Sequence, residues 1–171
     1  TLDSAGSMLE EQVRGVAIGG FMGTGKSTIG PLLAQRMGLS FMDLDQAIEA
    51  IEGCTVAEIF ARAGEAGFRM CEAACLESLS GSQPMVLALG GGTLHQPGWR
   101  DRLSGFRVVV LQASWSVVSA RVCVDDSRPL AGDAEALYAA RAAGYRSAGV
   151  EIAVDDRTPD EVCEAILNVL E

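Results

Sequence analysis

The chain has 171 residues, of which 49% are hydrophobic and 21% charged, and its formal net charge is −10 at pH 7. This composition is typical of a globular domain large enough to bury a core. No apolar run approaches the roughly eighteen residues that a membrane span needs. The acidic balance argues against nonspecific binding to nucleic acid or anionic membranes, which requires basic surfaces. It is compatible with small anionic ligands, because a few arginines can gather in one cleft.

Residues 1–12 are polar and acidic, and we interpret them as a flexible tail. The five cysteines are odd in number and lack CxxC spacing, which favours a reducing cytoplasmic setting over a disulfide framework. Cys71 and Cys75 are four residues apart on a predicted helix and could share a metal ion. Small core residues are the simpler interpretation, since the single histidine, His95, adds no second ligand near them.

Apolar runs alternate with helical patterns along the chain. The predicted strands are Val16–Met22, Ser40–Asp45, Pro84–Gly92, Arg107–Ala113 and Glu151–Asp156. The predicted helices are Ser27–Met37 with a stop at Gly38, one that opens at the Thr55 capping box, Glu65–Leu79, Ser114–Val122, Asp133–Gly149, and one that starts with Pro159 after Thr158.

This alternation predicts an α/β fold, with a parallel sheet covered by helices on both faces. In such sheets, ligands bind at the carboxyl ends of the strands. Three segments follow predicted strands at that edge, namely Gly23–Lys26, Asp43 with Asp45, and Gly90–Gly92. Residues 122–133 are polar and contain proline and glycine, and we expect them to form a mobile lid.

The segment Gly20–Ser27 fits the P-loop pattern GxxxxGK[ST] between a predicted strand and a predicted helix. Its glycines let backbone N–H groups surround an anion, and the following helix adds its positive end. Lys26 would reach the β- and γ-phosphates, and the Ser27 hydroxyl would bind Mg²⁺. The chain's thirteen basic residues include this single lysine, as expected if a wide, rigid guanidinium cannot replace it.

Two carboxylates follow the second strand. Asp43 and Asp45 are two residues apart on that predicted strand, so their side chains would point the same way. Asp43 could hold Mg²⁺, and Asp45 could orient or deprotonate a substrate hydroxyl. Asp45 could also cap the next helix, either instead of this role or together with it.

Several arginines are candidates for binding anions. Arg69 could clamp an anion or could form a surface ion pair with Glu65 or Glu72. Arg128, in the predicted lid, fits an arginine finger supplied by the chain itself. Arg141 could reach the same cleft, and Arg121 is a weaker candidate. Each of these arginines is also compatible with a solvated surface position.

Taken in order, these segments resemble the shikimate kinase family. The matching stretches are GFMGTGKST, DLD, AEIFARAGEAGFR, ALGGG, RPL and the segment from Arg141 to Tyr145. The resemblance implies ATP-dependent phosphorylation of the shikimate 3-hydroxyl with Mg²⁺. It also implies a three-layer P-loop kinase fold with strand order 2-3-1-4-5, in one domain over residues 13–171 with substrate-binding helices at about 45–80.

The resemblance further implies roles for individual residues. The catalytic residues would be Lys26, Asp45 and Arg128, and Mg²⁺ would bind at Ser27 and Asp43. The ATP-binding residues would be Gly23, Thr24, Gly25, Lys26, Ser27, Thr28, Arg121, Arg128 and Arg157. The shikimate-binding residues would be Asp45, Arg69, Gly90, Gly91, Gly92 and Arg141. Where the family often has Pro-Leu before the tyrosine, this chain has Ala143-Gly144, so we expect the packing near Arg141 to differ.

Two other functions stay open at this level. A related kinase could act on another small hydroxy acid, such as gluconate, or on a cyclitol, although a neutral polyol does not need the paired arginines Arg69 and Arg141. A nucleotide-binding regulatory protein without catalysis is the other alternative, although the residues expected to carry the chemistry are all present. We expect a cytoplasmic monomer whose partners are ATP and shikimate, with no nucleic acid and no membrane.

Overall fold

The computed structural model describes residues 14–122 and 134–171. Five strands are assigned in these ranges: β1 (Gly15–Gly20), β2 (Ser40–Asp43), β3 (Met85–Ala88), β4 (Phe106–Gln112) and β5 (Val150–Ala153). The helices are α1 (Lys26–Met37), α2 (Leu44–Glu52), α3 (Val56–Ser78), α4 (Trp99–Arg102), α5 (Trp115–Val122), α6 (Ala134–Ala148) and α7 (Pro159–Leu170), and a 3₁₀ turn covers Thr93–His95. The predicted tail, residues 123–133 of the predicted lid, and Arg128 with them lie outside the described residues.

The five strands form one parallel sheet in the order β2-β3-β1-β4-β5. This order confirms the P-loop kinase fold that the family resemblance implied, and the parallel sheet that the alternation of strands and helices predicted. Strand β1 lies in the centre, and all six of its residues are buried. Continuous burial means that both faces of the sheet are covered, as the apolar runs of parallel strands require.

Helices pack on the sheet and supply the rest of the core. Helix α1 contacts β2, β3 and α7, and helix α6 contacts β4, β5 and the 3₁₀ turn. The largest fully buried side chains include Phe21, Ile18, Leu33, Leu44, Ile48, Ile59, Leu87, Leu111 and Ile166. Cys75 also lies in this core and Cys71 packs against it, in line with the simpler interpretation of these two cysteines. Within the described ranges, no helix combines the length and the apolar character needed to cross a membrane.

Helix ends follow local rules that the sequence made visible. Helix α3 opens with a reciprocal capping box between Thr55 and Glu58, and α7 opens with one between Thr158 and Glu161. Pro159 takes the first position of α7, where its missing N–H costs nothing. Gly38 ends α1 in the left-handed conformation with φ 66°. The side-chain caps at Thr55 and Thr158 each contribute about 1 kcal/mol to the stability of their helices.

The prediction that Asp45 lies on a strand is wrong. Strand β2 ends at Asp43, and Asp45 belongs to the first turn of helix α2. The reason is that the Asp43 carboxylate accepts a hydrogen bond from the Gln46 backbone N–H at 3.2 Å and caps α2. The alternative in which Asp45 is the cap is therefore also wrong. Leu44, between them, is fully buried and anchors the start of the helix.

Helix α3 is one long element with an internal break. Gly64 has φ 67° and ψ −174°, which no helix contains, so two helical segments meet there. The sequence predicted two stretches with the second starting at Glu65, one residue after this break. The break reorients the second segment, which carries Arg69 and Glu72.

Candidate active site

The P-loop forms a turn whose backbone faces a cavity. Strand β1 ends at Gly20, and helix α1 begins at Lys26. Gly23 and Gly25 adopt positive φ angles of 79° and 101°, which glycine permits without strain. No side chain caps α1, whose N-cap residue is Gly25. The positive end of α1 is therefore open to an anionic ligand, whereas Asp43, Thr55 and Thr158 cap α2, α3 and α7.

The ammonium group of Lys26 lies over this loop. Its Nζ donates to the carbonyl oxygens of Gly20 at 2.8 Å and Phe21 at 2.9 Å. The buried Thr24 hydroxyl donates to the same Phe21 oxygen at 2.8 Å and holds the loop from inside. The lysine charge is thus prepositioned next to the backbone N–H groups that would surround a phosphate.

A hydroxyl and a carboxylate lie beside the loop. Ser27 Oγ is 3.5 Å from Asp43 Oδ2, and the other Asp43 oxygen caps α2. Mg²⁺ favours oxygen ligands and keeps several waters alongside one or two protein groups and substrate phosphates, so this pair fits it. Among the residues that the structure describes, no cluster of three His, Cys, Asp or Glu side chains forms a dedicated metal cage.

The environment of Asp45 raises its pKa to about 6. Burial is the main cause, and the negative charges of Asp43 and Glu72 add to it, while Lys26 and Arg69 act in the opposite direction. Asp45 Oδ1 is buried and has no hydrogen-bond partner. A buried acceptor without a partner is costly, so this oxygen is suited to a hydroxyl supplied by a ligand.

Arg69 is held by two carboxylates of its own helix. Its Nη1 lies 3.0 Å from Glu72 Oε2, and its Nη2 lies 3.2 Å from Glu65 Oε1. The other oxygen of the buried Glu72 accepts a hydrogen bond of 2.6 Å from Thr93 Oγ1. The ion pairs that the sequence offered as an alternative to ligand binding therefore exist, and they also fix a guanidinium that is only 14% exposed at the cavity wall.

Arg141 reaches the same end of the cavity from helix α6. It is 9% exposed, and its guanidinium carbon lies 6.0 Å from the centre of the Phe21 ring. Its own carbonyl oxygen is 3.0 Å from His95 Nε2. A buried guanidinium requires hydrogen-bond acceptors, and a carboxylate is an acceptor that two arginines can share.

The three glycines after β3 make room for these three side chains. A Cβ atom at Gly90 would lie 3.0 Å from Asp45 Oδ1, and one at Gly92 would lie 2.2 Å from Arg69 Nη2. A Cβ at Gly91 would lie 3.3 Å from Arg141 Nη1. Gly90 also faces Glu72 and Thr93, each 3.2 Å from the Cβ position. Together the three glycines form a backbone floor below Asp45, Arg69 and Arg141.

Arg121 and Arg157 lie at the exposed rim of the cavity. Arg121 Nη1 donates to the Gly23 carbonyl oxygen at 2.9 Å and so touches the P-loop itself. Arg157 follows β5 in the turn that leads to α7. The structure does not describe Arg128, so its predicted place in the lid stays a prediction.

One cavity of about 990 Å³ connects all of these groups. Each predicted site residue that the structure describes lines it: Gly23, Thr24, Gly25, Lys26, Ser27, Thr28, Asp43, Asp45, Arg69, Gly90, Gly91, Gly92, Arg121, Arg141 and Arg157. Sequence reasoning missed other lining residues, notably Phe60 and Phe68, whose ring centres are 4.9 Å apart. It also missed two residues that support the site. Thr93 donates a hydrogen bond to Glu72, and the Tyr145 hydroxyl donates one to the Gly91 carbonyl oxygen.

A parallel sheet in this strand order, a P-loop at its centre and an anion-binding pocket beside it define a P-loop kinase of a small molecule. The sequence profile of the family described as shikimate kinase matches residues 22–171. The shikimate kinase of Geobacter sulfurreducens is 39% identical over 160 residues, which cover 90% of this chain and 88% of that protein. The chain belongs to the shikimate kinase family.

Other comparisons agree with this assignment. The shikimate kinase of Synechococcus sp. (strain CC9902) is 36% identical over 165 residues, covering 92% of this chain and 86% of its own length. A structure of shikimate kinase from Acinetobacter baumannii in complex with shikimate superposes with a TM-score of 0.84 and 30% identity over 94% of both chains. A gluconokinase from Sinorhizobium meliloti has a TM-score of 0.61 at 20% identity, which bears on the fold alone.

Proposed function

We propose that this chain transfers the γ-phosphoryl group of ATP to the 3-hydroxyl of shikimate. The observation that carries the proposal is that Asp45, Arg69 and Arg141 converge on the Gly90–Gly92 floor, in the same cavity as the P-loop. A pocket with one carboxylate and two arginines fits an acceptor that carries both hydroxyl groups and a carboxylate. Shikimate is such a molecule.

At the phosphate end, the P-loop backbone binds the nucleotide phosphates. Lys26 exchanges its contacts with the Gly20 and Phe21 carbonyls for phosphate oxygens, where its charge offsets the charge that develops during transfer. Ser27 and Asp43 would hold Mg²⁺, which when bound would neutralise phosphate charge. Arg128 is the proposed second cation, and Arg121 and Arg157 flank the nucleotide base.

At the acceptor end, Asp45 accepts a hydrogen bond from the reacting hydroxyl and orients it. The unpartnered Oδ1 supports this role, because it can take that proton's hydrogen bond without giving up an existing one. Arg69 and Arg141 bind the carboxylate through charge-assisted hydrogen bonds. Gly90, Gly91 and Gly92 let the ring approach the backbone closely.

The remaining expectations belong to the same proposal. The enzyme works as a cytoplasmic monomer on ATP and shikimate, and the net charge of −10 does not favour nucleic acid as a partner. The paired arginines disfavour a neutral polyol as the acceptor, because it has no carboxylate for them to bind. Gluconate does carry a carboxylate, so the assay below includes it as a competing acceptor. A silent nucleotide-binding protein is disfavoured because the predicted phosphate-end and acceptor-end residues share one cavity.

The test is ADP release, measured by a coupled assay with Mg·ATP and shikimate, quinate, gluconate or no acceptor. We expect turnover with shikimate that exceeds the other three by orders of magnitude. Turnover with gluconate or quinate instead would contradict the assigned acceptor. ATP binding without turnover on any acceptor would support the regulatory alternative.

A further inference from the structure

His95 makes a contact that the predicted roles leave unexplained. It is the last residue of the 3₁₀ turn that follows Gly92, and its Nε2 lies 3.0 Å from the carbonyl oxygen of Arg141. A carbonyl oxygen only accepts, so the histidine must be the donor through Nε2–H. The contact therefore joins the turn that follows the glycine floor to the backbone of Arg141.

The helix that carries Arg141 is shaped to receive this ring. A Cβ atom at Gly144 would lie 2.5 Å from His95 Nε2 and 2.7 Å from its Cδ2. Gly144 lies inside α6, where glycine weakens a helix by about 1 kcal/mol relative to alanine. The glycine thus lowers the local stability of the helix, but it leaves room for the imidazole ring.

Tyr145 completes a second link between the same two segments. Its hydroxyl donates to the carbonyl oxygen of Gly91, and its ring packs edge-on against His95 with the ring centres 4.7 Å apart. The glycine floor and α6 are therefore joined at Arg141 and again about one helical turn later, at Tyr145. Arg141 Nη1 lies within 3.3 Å of the position that a Cβ at Gly91 would take, so small movements of α6 would change this spacing.

His95 is held in its neutral form. Burial lowers its pKa, and repulsion from Arg141 and Arg69 acts in the same direction, whereas the hydrogen bond to the Arg141 carbonyl opposes them. Its Nδ1 is buried without a hydrogen-bond partner. A proton at Nδ1 would therefore be an unpaired charge beside two guanidinium groups, and the neutral ring fits the site.

We propose that His95 is a positioning residue, which fixes the turn of α6 that carries Arg141 against the Gly91–Gly92 backbone and so sets the affinity for the acceptor's carboxylate. The proposal rests on the proposed function, in which Arg141 binds that carboxylate. His95 touches neither the acceptor nor ATP in this account. Its effect is confined to acceptor binding, since its contacts join the Gly92 turn to α6 and not to the P-loop.

The experiment compares His95→Leu, His95→Gln and Gly144→Ala with the wild-type enzyme. We expect His95→Leu to raise the KM for shikimate about tenfold, the effect of losing one partly buried hydrogen bond. The KM for ATP and kcat should stay within about twofold of wild type, since the phosphate end is untouched. His95→Gln should recover much of the affinity, because its amide can donate to the Arg141 carbonyl.

Gly144→Ala separates positioning from stability. Alanine favours the helix by about 1 kcal/mol, which offsets part of the cost of displacing the ring, so the melting temperature should fall less than in His95→Leu. The displaced ring should still raise the KM for shikimate severalfold. The double variant with His95→Leu should be no worse than His95→Leu alone, because both changes act on one contact. This comparison of the single and double variants uses KM values, so it remains informative even where His95→Leu lowers the melting temperature.

Arg100→Ala is the matched control. Arg100 also joins a neighbouring segment to α6, through a hydrogen bond of 2.7 Å from its Nη2 to the Ser147 carbonyl, near the C-terminal end of the helix and away from the Gly92 turn. The Arg100→Ala variant should leave the KM for shikimate unchanged. An unchanged KM in both His95→Leu and Gly144→Ala would overturn the proposal, and so would equal rises in the KM for ATP. Absence of shikimate turnover in the wild type would instead contradict the proposed function, on which the role of His95 depends.

Discussion

The centre of the phosphate end of the cavity is the P-loop, a run of consecutive residues, whereas the acceptor end is built from distant residues. The P-loop Gly20–Ser27 positions Lys26 with its own carbonyl groups. The acceptor end brings Asp45 from α2, Arg69 from α3 and Arg141 from α6 onto one glycine floor.

The difference has a chemical meaning. Triphosphates are common ligands, and a backbone nest binds any of them without information from side chains. The acceptor is specific, so its site needs side chains whose positions are held by further side chains, such as Glu72 behind Arg69. Substitutions at the phosphate end should therefore lower turnover, whereas those at the acceptor end should mainly raise the KM for shikimate.

The largest effect should come from Lys26→Arg. The charge is kept, but the wider guanidinium cannot take the position of the ammonium in the loop, and we expect kcat to fall by a factor of roughly a hundred or more. Steady-state ADP release measures this. Arg36→Lys is the control, since Arg36 lies on the same helix and pairs with Asp160 at the surface. Near-normal turnover of Lys26→Arg would remove our explanation for the single lysine.

Arg69→Ala tests the acceptor end. Hydrogen bonds to a charged group contribute about 1.5–3 kcal/mol, so the KM for shikimate should rise roughly 10- to 100-fold while the KM for ATP stays unchanged. Arg62→Ala is the matched control, because Arg62 belongs to the same helix and its ion pair with Glu52 is 63% exposed on the arginine side. If Arg69→Ala left the KM for shikimate unchanged, the carboxylate would bind elsewhere.

The pH dependence of activity should report on Asp45. Its pKa of about 6 means that the carboxyl gains a proton as the pH falls through that value. A protonated Asp45 accepts the substrate's hydrogen bond poorly, so kcat/KM for shikimate should fall about tenfold for each pH unit below 6. ATP binding, measured over the same range, corrects for the nucleotide's own titration. In Asp45→Asn, activity should be low and this acidic limb absent; a limb that persists would belong to another group.

Gly92→Ala should have the smallest of these effects. The backbone φ of −104° accepts alanine, but the new methyl group would overlap Arg69 Nη2 at 2.2 Å. Because the end of a side chain can shift, we expect only a severalfold rise in the KM for shikimate, less than the loss of the whole guanidinium. An equal rise in the KM for ATP would show that the floor supports both ends of the cavity, and the comparison would fail.

The sequence made the phosphate end and the sheet predictable for one reason. Both depend on local signals, namely the spacing of Gly20, Gly25 and Lys26 and the continuous apolar runs. The strand order came with the resemblance, and it is confirmed. Helix ends at Thr55, Thr158 and Gly38 were predictable because caps are short-range interactions.

The acceptor end was less predictable because its contacts are long-range. The predicted strand ran through SFMDLD to Asp45, whereas the hydrogen bond that the Gln46 backbone N–H donates to the Asp43 carboxylate starts α2 and ends β2 at Asp43. Which side chain faces which glycine depends on how helices α2, α3 and α6 pack around the end of β3, and sequence spacing does not specify that packing. The single histidine and the glycine before Tyr145 were visible signals, but nothing in their spacing joins His95 to Arg141, 46 residues later.

The position of Lys26 also gives the molecule a built-in chemical reporter. An amine-selective reagent has one side chain to modify in the whole sequence, and that amine lies in the nucleotide pocket between two carbonyl groups. Apart from the amino terminus, the label would therefore be stoichiometric and confined to one site. The rate of labelling would measure occupancy of the pocket directly, without a catalytic cycle, and a bound nucleotide would protect the amine in proportion to its saturation.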